Sequence, residues 1–290
     1  MAKHLETARL MEQEPVAHQT YRMLLHSPAI AREARAGQFM MLQVRDGNDP
    51  LLRRPFSFHR IRSEAGAVEI LYRVVGRGTW LMSRMEPGAA LSLVGPLGNG
   101  FELPPAGVGP VFLVAGGIGI APIEELAARL LEAADLSRDG SVHLFYGART
   151  GPELLRSDRV SRPGLRIHWS TDDGSRGFRG NVIQCIEQVL GEEEGLRPAR
   201  VYGCGPLAMQ YRLALWALHR GVEAQLSLES LMACGFGACL GCALPAASPD
   251  DPTSERYLHV CKDGPIFPAG SIQWEKIRQQ QIAPPIFRCV

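Results

Sequence analysis

Cys234, Cys239, Cys242 and Cys261 are the residues of this 290-residue chain whose type and spacing restrict its chemistry most. They stand in ACGFGACLGC and, further on, in YLHVCKDGPIF, so the pattern is C-x4-C-x2-C with a more distant fourth cysteine. Four thiolates in that order match the plant-type ligand set of a two-iron, two-sulfur cluster. Such a cluster passes one electron at a time, which places its carrier on an electron-transfer path. The spacers are small: Gly235, Gly237, Ala238, Gly241 and Ala243 let backbone N–H groups approach the sulfurs. Glycine also permits the positive φ angles of a tight wrap. A structural zinc site with four thiolates is the alternative. Zinc sites usually show two separated C-x2-4-C knuckles, and only one C-x2-C pair occurs here. Of the other cysteines, Cys185 reads as a buried small hydrophobe in a helical stretch, and Cys289 has no assigned role.

A second group of residues suits a flavin. Arg54, in Arg53-Arg54-Pro55-Phe56-Ser57-Phe58, can neutralise a pyrophosphate, and Pro55 presets an extended backbone. The backbone after it and the Ser57 hydroxyl can hydrogen-bond an isoalloxazine edge. Taken alone, RRPFS is equally an arginine-bearing strand. Leu71-Tyr72-Arg73 and Gly78-Thr79 strengthen the flavin reading: Tyr72 can stack on a ring, Arg73 can pair with phosphate, and Gly78 and Thr79 can present N–H donors.

A third group suits a nicotinamide dinucleotide. LVAGGIGIAP joins an apolar run to a helical pattern through Gly116, Gly117 and Gly119, where N–H groups and a helix N-terminus favour an anionic pyrophosphate. The pattern is G-x-G-x-x-P and not the dinucleotide fingerprint ending in Gly or Ala. Tyr202-Gly203-Cys204-Gly205-Pro206 follows another apolar run, and its glycines would let a nicotinamide lie close to the backbone. Cys204 is either a polarizable contact beside the hydride path or a packing residue.

The elements that must position these groups fall into distinct textures. Up to residue 105, short apolar runs such as Phe39 to Val44, Val68 to Val74 and Leu91 to Leu97 alternate with Gly, Pro and Asp-Pro turns, which predicts a small antiparallel barrel. From 106 to 228 strands alternate with helices: strands at Val111 to Ala115, Val142 to Tyr146, Leu165 to Ser170, Ala199 to Tyr202 and Glu223 to Leu228, and helices after Pro122, from Asn181 to Leu190 and from Leu207 to His219. That order predicts a parallel, doubly wound, Rossmann-like domain. The cysteine module spans 229–275, and the tail 276–290 is given no function.

Bulk properties exclude several classes. Lys+Arg 31 against Asp+Glu 30 leaves a net charge of +1, which offers no nucleic-acid surface. The charged N-terminus MAKHLETARLMEQEP is no secretory signal, and no apolar run reaches the roughly 18 residues of a membrane span. Cysteines crowded into one loop suit a reducing compartment, so the expected location is cytoplasmic.

Taken together, RPFS, LYR, GRGT, AGGIGIAP, GCGP, SLESLMACGFGACLGC and VCKDGPIF resemble the ferredoxin reductase-like flavoproteins, and within them the electron-transfer subunits of class 1B dihydroorotate dehydrogenases. The resemblance covers nearly the whole chain. It implies an FAD-binding barrel holding the cofactor with Arg54, Pro55, Phe56, Ser57, Leu71, Tyr72, Arg73, Gly78 and Thr79. It implies an NAD-binding domain using Gly116, Gly117, Gly119, Cys204, Gly205 and Pro206, and a [2Fe-2S] module. It further implies a catalytic partner subunit that holds FMN and oxidises dihydroorotate to orotate in pyrimidine biosynthesis, joined as a heterotetramer of two of each. Two departures stand out: Phe56 replaces a usual small aliphatic, and the linker from Cys242 to Cys261 carries Ser248-Pro249-Asp250-Asp251-Pro252, expected as a surface loop.

A flavin handles both one and two electrons, so it must lie between cluster and nicotinamide. The implied order is partner FMN, cluster, FAD, NAD, and no residue of this chain is required as acid or base. Leu231, Met232, Phe236 and Leu240 either meet the partner or cover the cluster. Arg149 could serve an NADP phosphate, whereas Asp172 and Asp173 oppose one; the resemblance decides for NAD. Two other readings remain: a diaphorase-type subunit of a hydrogenase or sulfite-reducing complex, and a zinc-stabilised nucleotide-binding scaffold.

Overall fold

The computed structural model describes residues 2–105, 107–132, 141–248 and 255–282. Six strands form a closed antiparallel barrel in the order β1-β2-β5-β4-β3-β6. They are β1 (His4–Ala17), β2 (Thr20–His26), β3 (Phe39–Gln43), β4 (Arg54–Arg62), β5 (Ala67–Arg73) and β6 (Ala90–Leu97), with short helices α1 (Pro28–Glu33) and α2 (Arg77–Met82) between them. The charged N-terminus, read from sequence only as unfit for a signal, is the long strand β1. Its apolar Ala8 and Leu10 point inward and its charges outward, the alternation of a half-buried strand. Met23, Leu25, Met40, Leu42, Phe58, Ile70 and Leu93 fill the barrel.

Beyond the barrel lies a seven-stranded sheet, ordered β10-β9-β8-β7-β11-β12-β15. The strands are β7 (Val111–Gly116), β8 (Val142–Ala148), β9 (Leu165–Thr171), β10 (Phe178–Arg179), β11 (Arg200–Cys204) and β12 (Glu223–Ser227); β15 is given below. Helices α3 (Ile120–Glu132), α4 (Ser157–Val160), α5 (Val182–Glu192) and α6 (Leu207–Arg220) connect them. All pairings from β10 to β12 are parallel, and the strand order reverses between β8-β7 and β11-β12. Such a switch point opens a crevice at the carboxyl ends of the strands. Asn181, expected as helical, is instead the N-cap of α5: its side chain accepts from the Ile183 and Gln184 N–H groups.

The cysteine segment adds β13 (Ala243–Pro245), β14 (Tyr257–His259), α7 (Val260–Asp263) and β15 (Ile266–Pro268), followed by α8 (Trp274–Ile282). β13 and β14 form a hairpin-like pair, while β15 joins the edge of the large sheet antiparallel to β12. The cluster segment therefore supplies a strand to the nucleotide sheet. Asn99, just after the barrel, bonds this segment from both ends of its amide: Nδ2 donates to the Ile266 carbonyl at 2.9 Å and Oδ1 accepts from the Ile266 N–H at 2.9 Å. Residues 249–252 of the expected surface loop, and Cys289, lie outside the described residues.

Barrel and sheet are locked by buried charge. On α3, Glu124 and Glu125 turn inward. Arg60 of β4 donates to the Glu124 carboxylate at 2.7 Å and carbonyl at 3.0 Å, and the Ile61 N–H donates to Glu125 at 3.1 Å. Ion pairs inside protein hold only when well made, so they fix the angle at which the domains meet.

Candidate functional site

Three connected recesses run from the barrel face to the sheet. The first, about 410 Å³, lies between barrel and sheet and is lined by Arg54, Pro55, Phe56, Ser57, Leu71, Tyr72, Arg73 and Thr79 among others. The second, about 560 Å³, covers the switch point at the carboxyl ends of β7, β8, β9 and β11. Gly116, Gly117, Gly205 and Pro206 line it. The third, about 920 Å³, is an open groove along Gly76, Arg77, Trp80 and Arg149. Arg73 lines all three.

The first recess fits a flavin dinucleotide on its donors. Arg54 is half-buried, which pulls its guanidinium below its ordinary range, and no carboxylate lies within salt-bridge distance among the described residues. A cation so placed suits an incoming pyrophosphate. Gly78 lies directly under that guanidinium and is buried, so it shapes the recess without lining it. Gly78 and Thr79 sit in the first turn of α2, where backbone N–H groups lack intrahelical acceptors. The Thr79 hydroxyl oxygen accepts from the Val75 and Gly76 N–H groups at 3.0 and 3.2 Å. Tyr72 differs from expectation. Its ring is buried and stacked on Tyr21 at 5.6 Å, and its hydroxyl donates to Gln13 at 2.9 Å, so one face is already used.

The second recess fits a nicotinamide dinucleotide. Gly117 has φ +53, and Ser170 Oγ, buried on its wall, has no hydrogen-bond partner among the described residues. Asp172 also lines it, as do Arg149 and Glu153. Burial pushes Glu153 up, but Arg149 and Arg73 outweigh that and hold it below the ordinary carboxylate range. Two residues expected at this site sit behind it. Gly119 is buried, and a Cβ there would come within 2.3 Å of the Cys204 carbonyl, so glycine is needed for the helix to approach the strand. Cys204 is buried in the core beneath the sheet and is not among the lining residues; burial pushes its thiol well above the usual range.

The four cysteines divide into two pairs. Cys242 and Cys261 are buried with sulfurs 3.3 Å apart. Cys234 is half-exposed and Cys239 exposed, and the Cys239 N–H donates to the Cys234 sulfur at 3.4 Å. The Gly237 N–H donates to Cys261 at 3.1 Å and the Cys261 N–H to Cys242 at 3.4 Å. Burial raises Cys234, but the N–H groups of Cys239, Phe236 and Ala238 prevail and bring it down to about 6. Burial and the neighbouring Cys242 push Cys261 up to about 12. Among the described residues, no three His, Cys, Asp or Glu side chains are grouped as a single metal ion requires. Two sulfur pairs ringed by N–H donors fit a cluster whose thiolates are shared two and two between irons. Gly235 holds the loop down: its φ is +83, and a Cβ would meet the Met41 side chain of β3 at 2.4 Å.

The cluster segment and flavin recess share a wall. Phe39 and Met232 line the recess and pack into the core that contains Cys242 and Cys261. In the same segment Leu231, Phe236 and Leu240 are 92%, 47% and 57% exposed, Leu240 next to Cys239 in the chain. Sequence reasoning missed Glu229, which lines both the first and second recesses, and the orphaned Ser170 hydroxyl. Glu229 stood within the quoted SLESL string, but only the three-dimensional junction gives it meaning.

Comparison with known proteins agrees with this geometry. The iron-sulfur cluster binding domain of dihydroorotate dehydrogenase B matches residues 229–273. The oxidoreductase NAD-binding domain matches residues 113–213, and the oxidoreductase FAD-binding domain residues 7–101. The cofactor set is thus FAD, NAD and an iron–sulfur cluster, which sets the zinc scaffold aside. The solved structure of the NADH-dependent reduced ferredoxin-NADP oxidoreductase superposes with a TM-score of 0.81 at 26% identity, covering 97% of this chain and 94% of that one. A Neisseria gonorrhoeae ferredoxin NADP+ reductase shares the fold, with a TM-score of 0.62 at 22% identity over 75% of this chain and 92% of its own. A curated relative from Desulforamulus reducens is 36% identical over 92% of this chain and 98% of its own length. Another, from Geobacillus thermodenitrificans, is 38% identical over 92% and 98%. No described helix is long and apolar enough to cross a membrane. With cysteine loop, barrel and sheet all matched, and relatives aligned over 92% of the chain, the chain belongs to the family of dihydroorotate dehydrogenase B (NAD(+)) electron transfer subunits, oxidoreductase subunits that work with a separate catalytic subunit.

Proposed function

We propose that this chain accepts electrons from the FMN of a dihydroorotate dehydrogenase catalytic subunit and passes them through its [2Fe-2S] cluster and FAD to NAD+, in a cytoplasmic heterotetramer of two of each subunit. Cys234, Cys239, Cys242 and Cys261 hold the cluster. Arg54 and the first turn of α2 hold the FAD pyrophosphate, Pro55 to Ser57 and Leu71 to Arg73 its ring end, and Gly116, Gly117, Gly205 and Pro206 the nicotinamide dinucleotide. Gly119 and Cys204 serve by packing behind the groove. The functional units are 1–105, 106–228, 229–275 and the tail. When bound, the flavin exchanges electrons singly with the cluster and in pairs with the nicotinamide.

The observation that carries this reading is the shared wall. The buried cysteine pair belongs to one packed core with Phe39 and Met232, which line the flavin recess, while the more exposed pair, Cys234 and Cys239, lies in the loop that also carries the exposed Phe236 and Leu240. An apolar rim around an exposed redox centre suits a protein partner. The test is anaerobic purification with the candidate FMN subunit. The expected product is a brown complex of two copies of each chain, with about two irons per electron-transfer chain. A colourless zinc-loaded chain, or one that co-purifies with a hydrogenase subunit, would contradict it.

A further inference from the structure

NADP+ differs from NAD+ by one phosphate on the 2′ oxygen of its adenosine ribose, and a groove that accepts it needs a cation at that place. The nicotinamide end must meet the flavin, whose recess reaches the β12 side of the sheet through Ser227 and Leu228. With the pyrophosphate over Gly116 and Gly117, the adenosine end runs the other way, across the carboxyl ends of β8 and β9. Ala148, Arg149, Ser170 and Asp172 line the groove there. Three arginines line the groove among the described residues. Arg73 also lines the flavin recess and Arg212 stands on α6, so Arg149, just past β8, is the cation on the adenosine side. A 2′-phosphate would find its cation there, yet the relatives matched above are named for NAD(+).

Arg149 is already engaged. Its Nη2 donates to Glu153 Oε1 at 2.6 Å and its Nε to Oε2 at 3.4 Å, so the guanidinium meets the carboxylate with two N–H groups. Arg73 Nη2 donates to the same Oε1 at 3.2 Å. The partners differ in freedom: the Arg149 side chain is 69% exposed and that of Glu153 12%. Glu153 ends the one-turn segment Gly151–Glu153, which is tied down on both sides. The Pro152 carbonyl accepts from the His18 N–H of the barrel at 2.9 Å, and the Gly151 N–H donates to the Ser175 hydroxyl at 2.7 Å. The anchored carboxylate therefore decides where the free arginine sits. Asp172 brings a second negative charge close to Arg149 from the end of β9.

We propose that Glu153 is a positioning residue that sets the preference for NAD over NADP by occupying Arg149, so that a 2′-phosphate meets a cation already neutralised together with the carboxylate that neutralises it. Asp172 repels the same phosphate directly, so the two carboxylates act by different routes. The inference rests on the nicotinamide groove assigned above.

The experiment compares wild type, Glu153→Gln, Arg149→Ala and the double variant in the assembled complex with the FMN subunit. Titration calorimetry reads the Kd of NAD+, NADP+ and adenosine 2′,5′-bisphosphate, and anaerobic ferricyanide reduction reads KM and kcat with NADH and NADPH. E153Q is expected to tighten NADP+ and the bisphosphate about tenfold, with the NADPH gain in KM and the NAD+ affinity within about threefold of wild type. R149A should shift NADP+ affinity by less than about threefold in the wild-type background and should erase the gain in the E153Q background. Unchanged NADP+ affinity in E153Q overturns the proposal, and so does a gain that survives R149A, which would assign it to Arg73. Should E153Q fail to fold, R149A in the wild-type background still decides: a tenfold loss of NADP+ affinity there would mean that Arg149 binds the phosphate despite Glu153, and would overturn the proposal. If wild type neither binds NAD+ nor is reduced by NADH, the groove assignment fails instead.

Discussion

Arginines stand on two sides of the barrel, on it and on the α4 segment facing it, and are used in opposite ways. Toward α3 and α4, Arg22 pairs with Glu69 at 2.5 Å, Arg60 and Arg162 with Glu124 at 2.7 and 3.2 Å, Arg159 with Glu14 at 2.7 Å, and Arg62 with Glu69. Toward the cleft, Arg54 has no such partner among the described residues, and Arg73 shares the single carboxylate Glu153 with Arg149. Arg22 and Arg60 on one side and Arg54 on the other are partly desolvated, and a desolvated cation needs an anion. Where the chain supplies that anion, the arginine ties barrel strands together, as Arg22 and Arg62 do, or joins the domains, as Arg60 does. Where it does not, the arginine waits for a ligand. The partner, more than the arginine, separates architecture from binding.

The largest effect should come from breaking the architectural side. Arg60→Ala leaves the buried Glu124 with Arg162 and the His59 imidazole and should cost about 3 kcal/mol of stability, read by denaturant unfolding. Burial pushes Glu124 up to about 7 even with Arg60 pulling it down. A carboxyl raised in the folded chain holds its proton more tightly there, so stability falls as pH rises from its unfolded value through its folded one. Without Arg60 the folded value rises further, and the variant's loss should be greater at pH 8 than at pH 5. A loss independent of pH would show that Glu124 does not respond to Arg60.

On the ligand side, Arg54→Ala should leave folding unchanged and weaken FAD by about 2 kcal/mol, roughly thirtyfold, as measured by flavin retention on dilution. A destabilised chain with full FAD would reverse the distinction. Asp172→Ser removes a carboxylate from the nicotinamide groove and should shift the rate ratio toward NADP+ about tenfold. Smallest is the open pair Arg156–Asp158, exposed on both sides: Arg156→Ala should change stability by less than about 0.5 kcal/mol.

The cluster ligands were legible because their signal is local: four cysteines and small spacers state the ligand set without reference to anything distant. Strand and helix alternation likewise announced the doubly wound sheet, since the period of each run is a property of the run itself. What sequence could not state was proximity. Gly119 and Cys204 belong to motif strings but face each other behind the groove, because the motif marks a close helix–strand approach as well as a ligand. Tyr72 was read as free to stack, yet Tyr21 on the neighbouring strand takes one face of its ring. β15 could not be foreseen from its short apolar run, which joins β12 only through pairings across the whole cysteine segment between Ser227 and Ile266. Glu229 lies in no charge pattern and gains its place solely where the first two recesses meet.

The relay itself is tested most directly by one variant in the complex. Dihydroorotate is added anaerobically to wild type and to Cys239→Ser, and NADH formation is followed. Wild type should form NADH, whereas the variant, which keeps most of its FAD and still passes electrons from NADH to ferricyanide, should lose the cluster spectrum and form none. NADH formation by Cys239→Ser at the wild-type rate would mean that electrons reach the FAD without the cluster, and would contradict the account.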